Sequence, residues 1–219
     1  MLTSLQRRVW AALARIPEAD AFALAGGGAM IALGIVERET NDLDLFGTAP
    51  EHVKQLGAVV DAAMSEQGFI TEHLRSTPSL LRLEVLHDDD AVTVDLGYVH
   101  PRFATVQTAG GQVISPQDLA ADKLLAMWAR SAPRDFVDVH ALAQRFSLEE
   151  MGRLAAQKDL GFRRDLLVLG LEPFGRLPRN RFDIDDAHYA DLSTWVSATL
   201  DSVAPHRGPS TTRSRSLEL

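Results

Sequence analysis

The sequence predicts an α+β fold, in which a mixed sheet with flanking helices is followed by an all-helical region. Runs typical of strands occur only before residue 115, where they are interspersed with helical segments. After Ser115-Pro116 the sequence changes to successive helical segments joined by loops rich in Pro, Gly and Arg. We therefore predict an α/β core over residues 1–114, a helical domain over 115–204 and a disordered polar tail over 205–219.

The elements of the first half follow from local patterns. Apolar residues at helical spacing predict a helix over 3–15, which Pro17 ends. The apolar run AFALA predicts a strand, the triple glycine a turn and AMIAL the start of a helix. The alternating DLDLF predicts a strand with one polar face, and Pro50 begins a helix. The predicted strands are 21–25, 42–46, 69–74, 80–86 and 91–98, with a short one at 105–107 or 113–114, and the helices are 3–15, 29–33 and 50–66.

Two further signals complete the fold prediction. The acidic turn at 87–90 separates two strand-like runs, which indicates an antiparallel hairpin. A helix to about residue 130 is predicted by Ser115 as N-cap, Pro116 at the first position and Asp118 in the first turn. Further helices are predicted near 134–145, 147–157, 162–171 and 186–203.

The composition excludes several classes of protein. A net charge of −8 argues against a protein that coats nucleic acid non-specifically, although one local patch could still bind RNA or a nucleotide. The absence of cysteine excludes disulfides, a thiolate nucleophile and cysteine-bound zinc. The sequence contains no apolar run long enough for a membrane span and no signal peptide, so we expect a cytoplasmic protein.

The DLDL segment places two carboxylates on one face of a strand. Asp42 and Asp44 are two residues apart and project together, whereas Leu43 and Leu45 point into the core. Carboxylates held side by side repel each other unless they share a proton or bind a divalent cation. Mg²⁺ favours carboxylates together with substrate phosphates.

A third carboxylate lies on a later strand. In AVTVDLGYV, Asp95 lies on the face opposite Val94 and Leu96, and an aspartate in such an apolar strand is costly unless it is paired or binds a metal. If this strand neighbours 42–46, Asp95 completes a three-carboxylate site able to hold two metal ions for phosphoryl or nucleotidyl displacement.

The glycine turn suits phosphate binding. Backbone N–H groups that converge on an anion need glycine to let the anion come close. GGGAMIALG lacks the Gly-Lys-Ser/Thr ending of a Walker A loop, and an aspartate pair on the next strand is foreign to the Rossmann pattern.

The combination resembles a known superfamily. Gly27-Gly28, followed thirteen residues later by Asp42-Leu43-Asp44-Leu45, resembles the signature of polymerase-β-type nucleotidyltransferases. GGGA together with the segment from Arg38 to Phe46 is similar to the AbiEii/MenT family, the toxin halves of bacterial toxin–antitoxin and phage-abortive systems. The resemblance implies a polymerase-β-like fold, a mixed sheet with flanking helices followed by a helical domain.

The resemblance extends downstream. The family's Asp-x4-Lys motif is matched by Asp118 and Lys123, and its Arg/Lys-Lys-Asp-x-x-Asp motif by Arg134, Asp135 and Asp138, with arginine where lysine is usual. It implies catalytic roles for Asp42, Asp44, Asp95, Lys123 and Asp138, metal binding by the first three, and nucleotide binding by Gly27, Gly28, Arg38, Thr40, Lys123, Arg134 and Asp135.

The leading hypothesis from the sequence is a toxin that uses Mg²⁺ or Mn²⁺ to transfer a nucleotide from an NTP to RNA. The resemblance points to tRNA 3′ ends as acceptors and to a cognate antitoxin as partner. In this hypothesis Asp95 or Asp138 orients or deprotonates the attacking hydroxyl. Two alternatives stay open, namely transfer to a small molecule or a protein, and a nucleotide-binding regulatory module without turnover.

Overall fold

The computed structural model describes residues 1–163 and 167–203. Within these residues seven strands form one mixed sheet in the order β3-β4-β5-β2-β1-β7-β6. Strand β2 is parallel to β5 and antiparallel to β1, β1 is parallel to β7, and the remaining pairs are antiparallel. The strands are β1 Ala23–Leu24, β2 Asp42–Gly47, β3 Ile70–Thr77, β4 Leu80–His87, β5 Asp90–Tyr98, β6 Val106–Thr108 and β7 Gly111–Val113.

The helices flank this sheet and then continue alone. Their bounds are α1 Ser4–Leu13, α2 Gly26–Ala32, α3 Pro50–Ser65, α4 Pro116–Arg130, α5 Pro133–Ala143, α6 Leu148–Lys158, α7 Leu167–Leu171 and α8 Asp186–Val203. Helix α1 begins with a capping box between Thr3 and Gln6, and the hydroxyl of Ser115 accepts a hydrogen bond from the backbone N–H of Asp118 at the start of α4. No helix in the described residues is long and apolar enough to cross a membrane.

The two faces of the sheet have different neighbours. Leu43 and Leu45 of β2, with Val94 and Leu96 of β5, are buried in the core, and α1 and α3 pack against these strands. The alternate residues face the other side, where they line a cleft together with residues of α4, and α4 contacts α2. The sequence alternation therefore predicted correctly which side chains leave the core.

The predicted fold class is confirmed, with corrections to several elements. Helix α2 begins at Gly26, so the triple glycine forms the first turn of that helix instead of a separate turn before Ala29. Both positions proposed for the short strand are occupied, since β6 and β7 form a hairpin. The helix predicted over 162–171 begins at Leu167 within the described residues, and Phe162 is not helical.

The proposed domain boundary stays a prediction. A single core cluster contains residues from both halves, including Leu43, Leu96, Leu124 and Phe136. Continuous packing of this kind joins the helices to the sheet without showing where one folding unit would end. The tail predicted over 205–219 lies outside the described residues.

Candidate active site

The three aspartates predicted to form one site meet on the same face of the sheet. Asp44 of β2 lies directly opposite Asp95 of the parallel strand β5, and Asp42 lies opposite Thr93. Opposite residues on adjacent strands point to the same side and lie about 4.8 Å apart. The strand pairing thus confirms the expectation that these two strands are neighbours and brings the three carboxylates together.

The carboxylates are crowded by like charge. Burial, with the charges of Asp42 and Asp95, raises the pKa of Asp44 to about 6, while Lys123 and Arg134 oppose this rise. A carboxylate that is costly to ionise among other carboxylates is stabilised by a cation. The donors are hard oxygen atoms, and their chemistry therefore fits Mg²⁺ or Mn²⁺.

The third carboxylate already has a cationic partner. Arg82 donates from Nε and Nη2 to the two oxygens of Asp95, both at 2.6 Å. In the described residues, no group of three or more His, Cys, Asp or Glu side chains is arranged to hold a metal ion as it stands. Asp42 and Asp44 are therefore the open carboxylates of the site, whereas each oxygen of Asp95 is bonded to Arg82 and keeps one further lone pair for a metal ion.

Arg82 was missed by the sequence reasoning, although a signal was present. Strands β4 and β5 form the hairpin that the acidic turn at 87–90 predicted, with His87 opposite Asp90. Counting backwards from that turn places Arg82 opposite Asp95, as the structure shows. A hairpin register read from its turn would have found the partner of this carboxylate.

The glycine that comes closest to the carboxylates is Gly26. It has a φ of +56°, and a Cβ at this position would lie 1.7 Å from Oδ2 of Asp44. Gly27 is next, since its Cβ would lie 2.8 Å from Oγ1 of Thr40. Gly28 was predicted to bind the nucleotide, but it packs against Leu24 and does not line the cleft. The pair beside the carboxylates is therefore Gly26-Gly27.

Replacing Gly26 with alanine is expected to displace Asp44 and to lower transferase activity sharply. Gly34→Ala is a matched control, because Gly34 has a φ of +62° and nothing within 4 Å of an added Cβ. The strain of a left-handed alanine, about 1 kcal/mol, should be common to both variants. Thermal melts and activity assays of Gly26→Ala and Gly34→Ala would compare their stability and their transferase activity. Equal activities in the two variants would show that the contact with Asp44 is unimportant.

A cationic wall faces the carboxylates from α4 and α5. Lys123, Arg130 and Arg134 line the cleft with the aspartates. The Arg134 side chain is exposed and has no hydrogen bond or ion pair within the described part of the chain. Arg130 is half exposed and is held by Asp135 through bonds of 2.7 and 2.8 Å. Cations so placed can neutralise phosphate charge.

Asp138 lies behind this wall and not in the cleft. Its side chain is 0% exposed and accepts from Arg38 at 2.9 Å, and it also pairs with Nζ of Lys123 at 2.7 Å. Both oxygens of Asp138 are thus already bonded to cations, and Asp138 is not among the residues that line the cleft. The catalytic role of Asp138 stays a prediction; in this structure its carboxylate holds the side chains of Lys123 and Arg38.

Asp135, which was predicted to bind the nucleotide, is also buried and bonded within the protein. Its side chain is 0% exposed, and besides Arg130 it accepts from the backbone N–H of Ala132 at 3.0 Å, so it caps α5. The structure therefore does not place Asp135 where it could contact a nucleotide. The position that it controls is that of the Arg130 guanidinium.

Two further predicted residues line the cleft. Thr40 donates from its hydroxyl to Oδ1 of Asp42 at 3.0 Å, which orients that carboxylate. Arg38 extends beside Gly27. A Cβ added at Gly27 would contact the Arg38 guanidinium as well as the Thr40 hydroxyl. The first motif aspartate of α4 has another task, because Asp118 accepts from the backbone N–H groups of Arg102 and Phe103 and fixes that loop.

The three aspartates, the Gly26-Gly27 pair and the cationic wall line a cleft of about 370 Å³. A larger hollow of about 850 Å³ lies between α3 and the β3–β4 hairpin, but none of the three aspartates lines it. The smaller cleft contains the carboxylates, the Gly26-Gly27 pair and the cationic wall, and we therefore assign the chemistry to it. Residues of this cleft that the sequence reasoning did not single out include Phe46 and Val99.

Fold and site together define the class of this protein. A mixed sheet that presents paired aspartates beside a glycine pair is the arrangement expected of a nucleotidyltransferase. A family model described as the nucleotidyl transferase AbiEii toxin of a type IV toxin–antitoxin system matches residues 8–202. The chain belongs to this AbiEii family, and the resemblance recognised in the sequence is confirmed.

Solved structures share the fold at low sequence identity. MenT4, a nucleotidyltransferase toxin from Mycobacterium tuberculosis H37Rv, is 18% identical with a TM-score of 0.59, and the match covers 91% of each chain. JHP933 from Helicobacter pylori is 15% identical with a TM-score of 0.56, over 93% of this chain and 95% of its own. No curated protein sequence matches the chain significantly.

Proposed function

We propose that this toxin uses a divalent cation, Mg²⁺ or Mn²⁺, to transfer a nucleoside monophosphate from an NTP to the 3′ end of an RNA, with tRNA as the favoured acceptor. The observation that carries the proposal is the register of Asp44 opposite Asp95, with Asp42 on the same face and Gly26 in contact with Asp44. Enzymes that transfer phosphoryl groups rely on positioning and charge neutralisation, and the cleft supplies groups for both.

The metal would be held by Asp42 and Asp44, with Asp95 as the third ligand. When bound, it would supply the positive charge that neutralises the triphosphate and lowers the pKa of the attacking hydroxyl. The protein residues act around it. Thr40 orients Asp42 through a hydrogen bond of 3.0 Å. Burial, together with the neighbouring charges of Asp42 and Asp95, raises the pKa of Asp44, and a bound cation would offset this cost of ionisation.

The remaining residues of the cleft would bind the phosphates of the nucleotide and neutralise their charge. Gly26-Gly27 line the cleft beside the carboxylates and carry no side chain, so a phosphate could approach the backbone at the start of α2. Lys123, held by Asp138, and Arg130, held by Asp135, carry positive charge to the opposite wall, where the leaving pyrophosphate gains negative charge. Arg134, which has no hydrogen bond or ion pair within the described residues, lines the cleft beside them and would meet the nucleotide directly.

The proposal is tested by following the label from each of the four α-³²P-NTPs into total RNA, protein and small molecules separated by size. We expect transfer to RNA that requires a divalent cation, stops when a chelator removes it and returns on addition of Mg²⁺ or Mn²⁺. Sequencing of RNA 3′ ends would identify the acceptor. Label in protein or in a small molecule alone would refute an RNA acceptor, and nucleotide binding without pyrophosphate release would indicate a module without turnover.

The type IV toxin–antitoxin assignment of the family implies an antitoxin, and we propose that the cognate one neutralises this activity in the cytoplasm. Expression of the chain alone is expected to arrest growth, and coexpression of the antitoxin is expected to restore it. Growth arrest that persists in a variant without transferase activity would separate toxicity from nucleotide transfer.

A further inference from the structure

A row of four charged residues crosses the sheet at right angles to the strands, on the face that carries the three aspartates. Asp44 of β2 lies opposite Asp95 of β5, Asp95 opposite Arg82 of β4, and Arg82 opposite Arg75 of β3. At about 4.8 Å between strands, the row extends roughly 14 Å from Asp44 to the edge strand. The acidic half of the row is the proposed catalytic centre, and the basic half lies between it and the sheet edge.

A β-bulge places Arg75 in this row. The register shifts between His73, which pairs with Leu83, and Arg75, which pairs with Arg82. His73 contacts Asp61 of α3 and therefore lies on the covered face. Without the bulge at Leu74, Arg75 would share that face, because residues two apart in a strand point the same way. Bulges often redirect side chains beside active sites.

The two arginines carry like charge on adjacent strands, and within the described residues only Arg82 has a counterion, Asp95. Like charges directly opposite on adjacent strands destabilise a sheet. Arg75 is exposed and has no hydrogen bond or ion pair within the described residues. The Arg82 side chain is 45% exposed and uses two of its five N–H donors on Asp95, so three donors stay available. A phosphate between the two guanidinium groups would relieve their repulsion.

We propose that Arg75 and Arg82 bind the phosphates of the acceptor strand and lead its 3′ end to Asp95 and Asp44. This inference rests on the proposed transfer to RNA and adds the path by which the acceptor enters. The nucleotide side of the cleft is formed by Gly26-Gly27 and the cationic wall, so the β4–β3 side is left for the acceptor.

The adjacent row of residues on the same face of the sheet is acidic, and it restricts where an RNA strand could cross. Glu72 and Glu84 lie opposite each other on the same face, and Glu84 lies opposite Thr93. Their charges repel a phosphate backbone, whereas the arginine row attracts it. The acceptor strand therefore crosses β4 and β3 at Arg82 and Arg75 and not at the glutamates. At about 3.4 Å per stacked nucleotide, the row corresponds to roughly the last four nucleotides of the strand.

Arg75→Ala tests the path without touching the carboxylates. A fluorescein-labelled single-stranded RNA with a free 3′ end is titrated with full-length protein in chelator, and anisotropy is measured at several salt concentrations. We expect the variant to bind on the order of tenfold more weakly at low salt and the slope of log K against log salt to fall by about 0.7. Arg75→Lys should restore most of the slope, because charge at that position is retained.

Acceptor length supplies a readout that a merely structural role would not change. In the transfer reaction, Arg75→Ala should lower kcat/KM for a long RNA several-fold but leave a dinucleotide acceptor unaffected, since a dinucleotide ends before the edge strand. The matched control is Arg15→Ala, because Arg15 is exposed, has no hydrogen bond or ion pair within the described residues, and follows α1, which packs against the core face of β2 and β5.

The possible results distinguish this inference from the proposed function. Equal RNA affinity and equal length dependence in Arg75→Ala and Arg15→Ala would overturn the acceptor path, while wild-type transfer to RNA would leave the proposed function intact. Transfer of label to protein or to a small molecule, with no RNA binding by the wild type, would overturn both. Weaker NTP binding by Arg75→Ala, measured by calorimetry, would reassign the arginine row to the nucleotide and also overturn the inference.

Discussion

Replacing Asp44 with asparagine is expected to abolish nucleotide transfer while leaving the protein folded. Asp44 lies at the centre of the carboxylate group, opposite Asp95 and two residues from Asp42. Charge stabilisation by a metal ion contributes several kcal/mol, and each 1.36 kcal/mol corresponds to a factor of ten in rate. We therefore expect a loss on the order of a thousandfold or more in label transfer to RNA.

The same substitution should not lower the melting temperature. Burial and the charges of Asp42 and Asp95 raise the pKa of Asp44 to about 6, so the ionised form is disfavoured in the folded state. Asparagine has the same shape without the charge, and at neutral pH in chelator it should leave the melting temperature unchanged or raise it. Opposite effects on activity and stability would exclude misfolding as the cause of the lost activity.

The control for Asp44→Asn is Asp89→Asn. Asp89 lies in the exposed turn between β4 and β5, at the far end of the hairpin from the Arg82–Asp95 pair. This variant makes the same chemical change outside the cleft and should keep wild-type transfer. Undiminished transfer by Asp44→Asn would refute the proposed mechanism, since no other arrangement of the described carboxylates would then explain the cleft.

The catalytic face could be predicted from sequence because it depends on local patterns. The alternation of DLDL and of AVTVDLGYV fixes which residues leave the core, and neighbouring strands then bring Asp44 and Asp95 together. The contact of Gly26 with Asp44 could not be predicted in this way. It depends on a positive φ and on the position of β1 next to β2, and the sequence pattern shows neither.

The roles of the downstream aspartates needed the tertiary structure. Asp138 and Arg38 are 100 residues apart, and no spacing rule connects them. The sequence motif correctly located a group of charges near the cleft, but it could not separate residues that face a ligand from those that hold them. The structure makes that separation, because Arg134 is exposed while Asp135 and Asp138 are buried.

Asp138→Ala is expected to destabilise the fold more than any other single change considered for this site. The substitution removes the carboxylate that pairs with Lys123, which is 8% exposed, and with Arg38. Removing one member of a buried ion pair typically costs about 3–5 kcal/mol. For a chain of this size that loss corresponds to a fall in melting temperature of roughly 6–20 °C.

Asp135→Ala is the matched comparison on the same helix. Its carboxylate is equally buried, but its partner Arg130 is 51% exposed and can be hydrated when the pair is lost. We therefore expect a smaller loss of stability, dominated by the helix cap at Ala132, which is worth about 1 kcal/mol. Denaturant titrations of the two variants would measure the difference.

Asp138→Asn decides between a positioning role and direct catalysis. A residue that deprotonated the acceptor hydroxyl would, when changed, lower kcat and leave stability and NTP affinity nearly intact. Asp138 touches Arg38 and Lys123 instead, so its neutral variant should weaken NTP binding and lower stability together with activity. A variant with normal stability and normal NTP affinity but no turnover would show that the carboxylate reaches the acceptor after all, through a rearrangement that frees it from both cations.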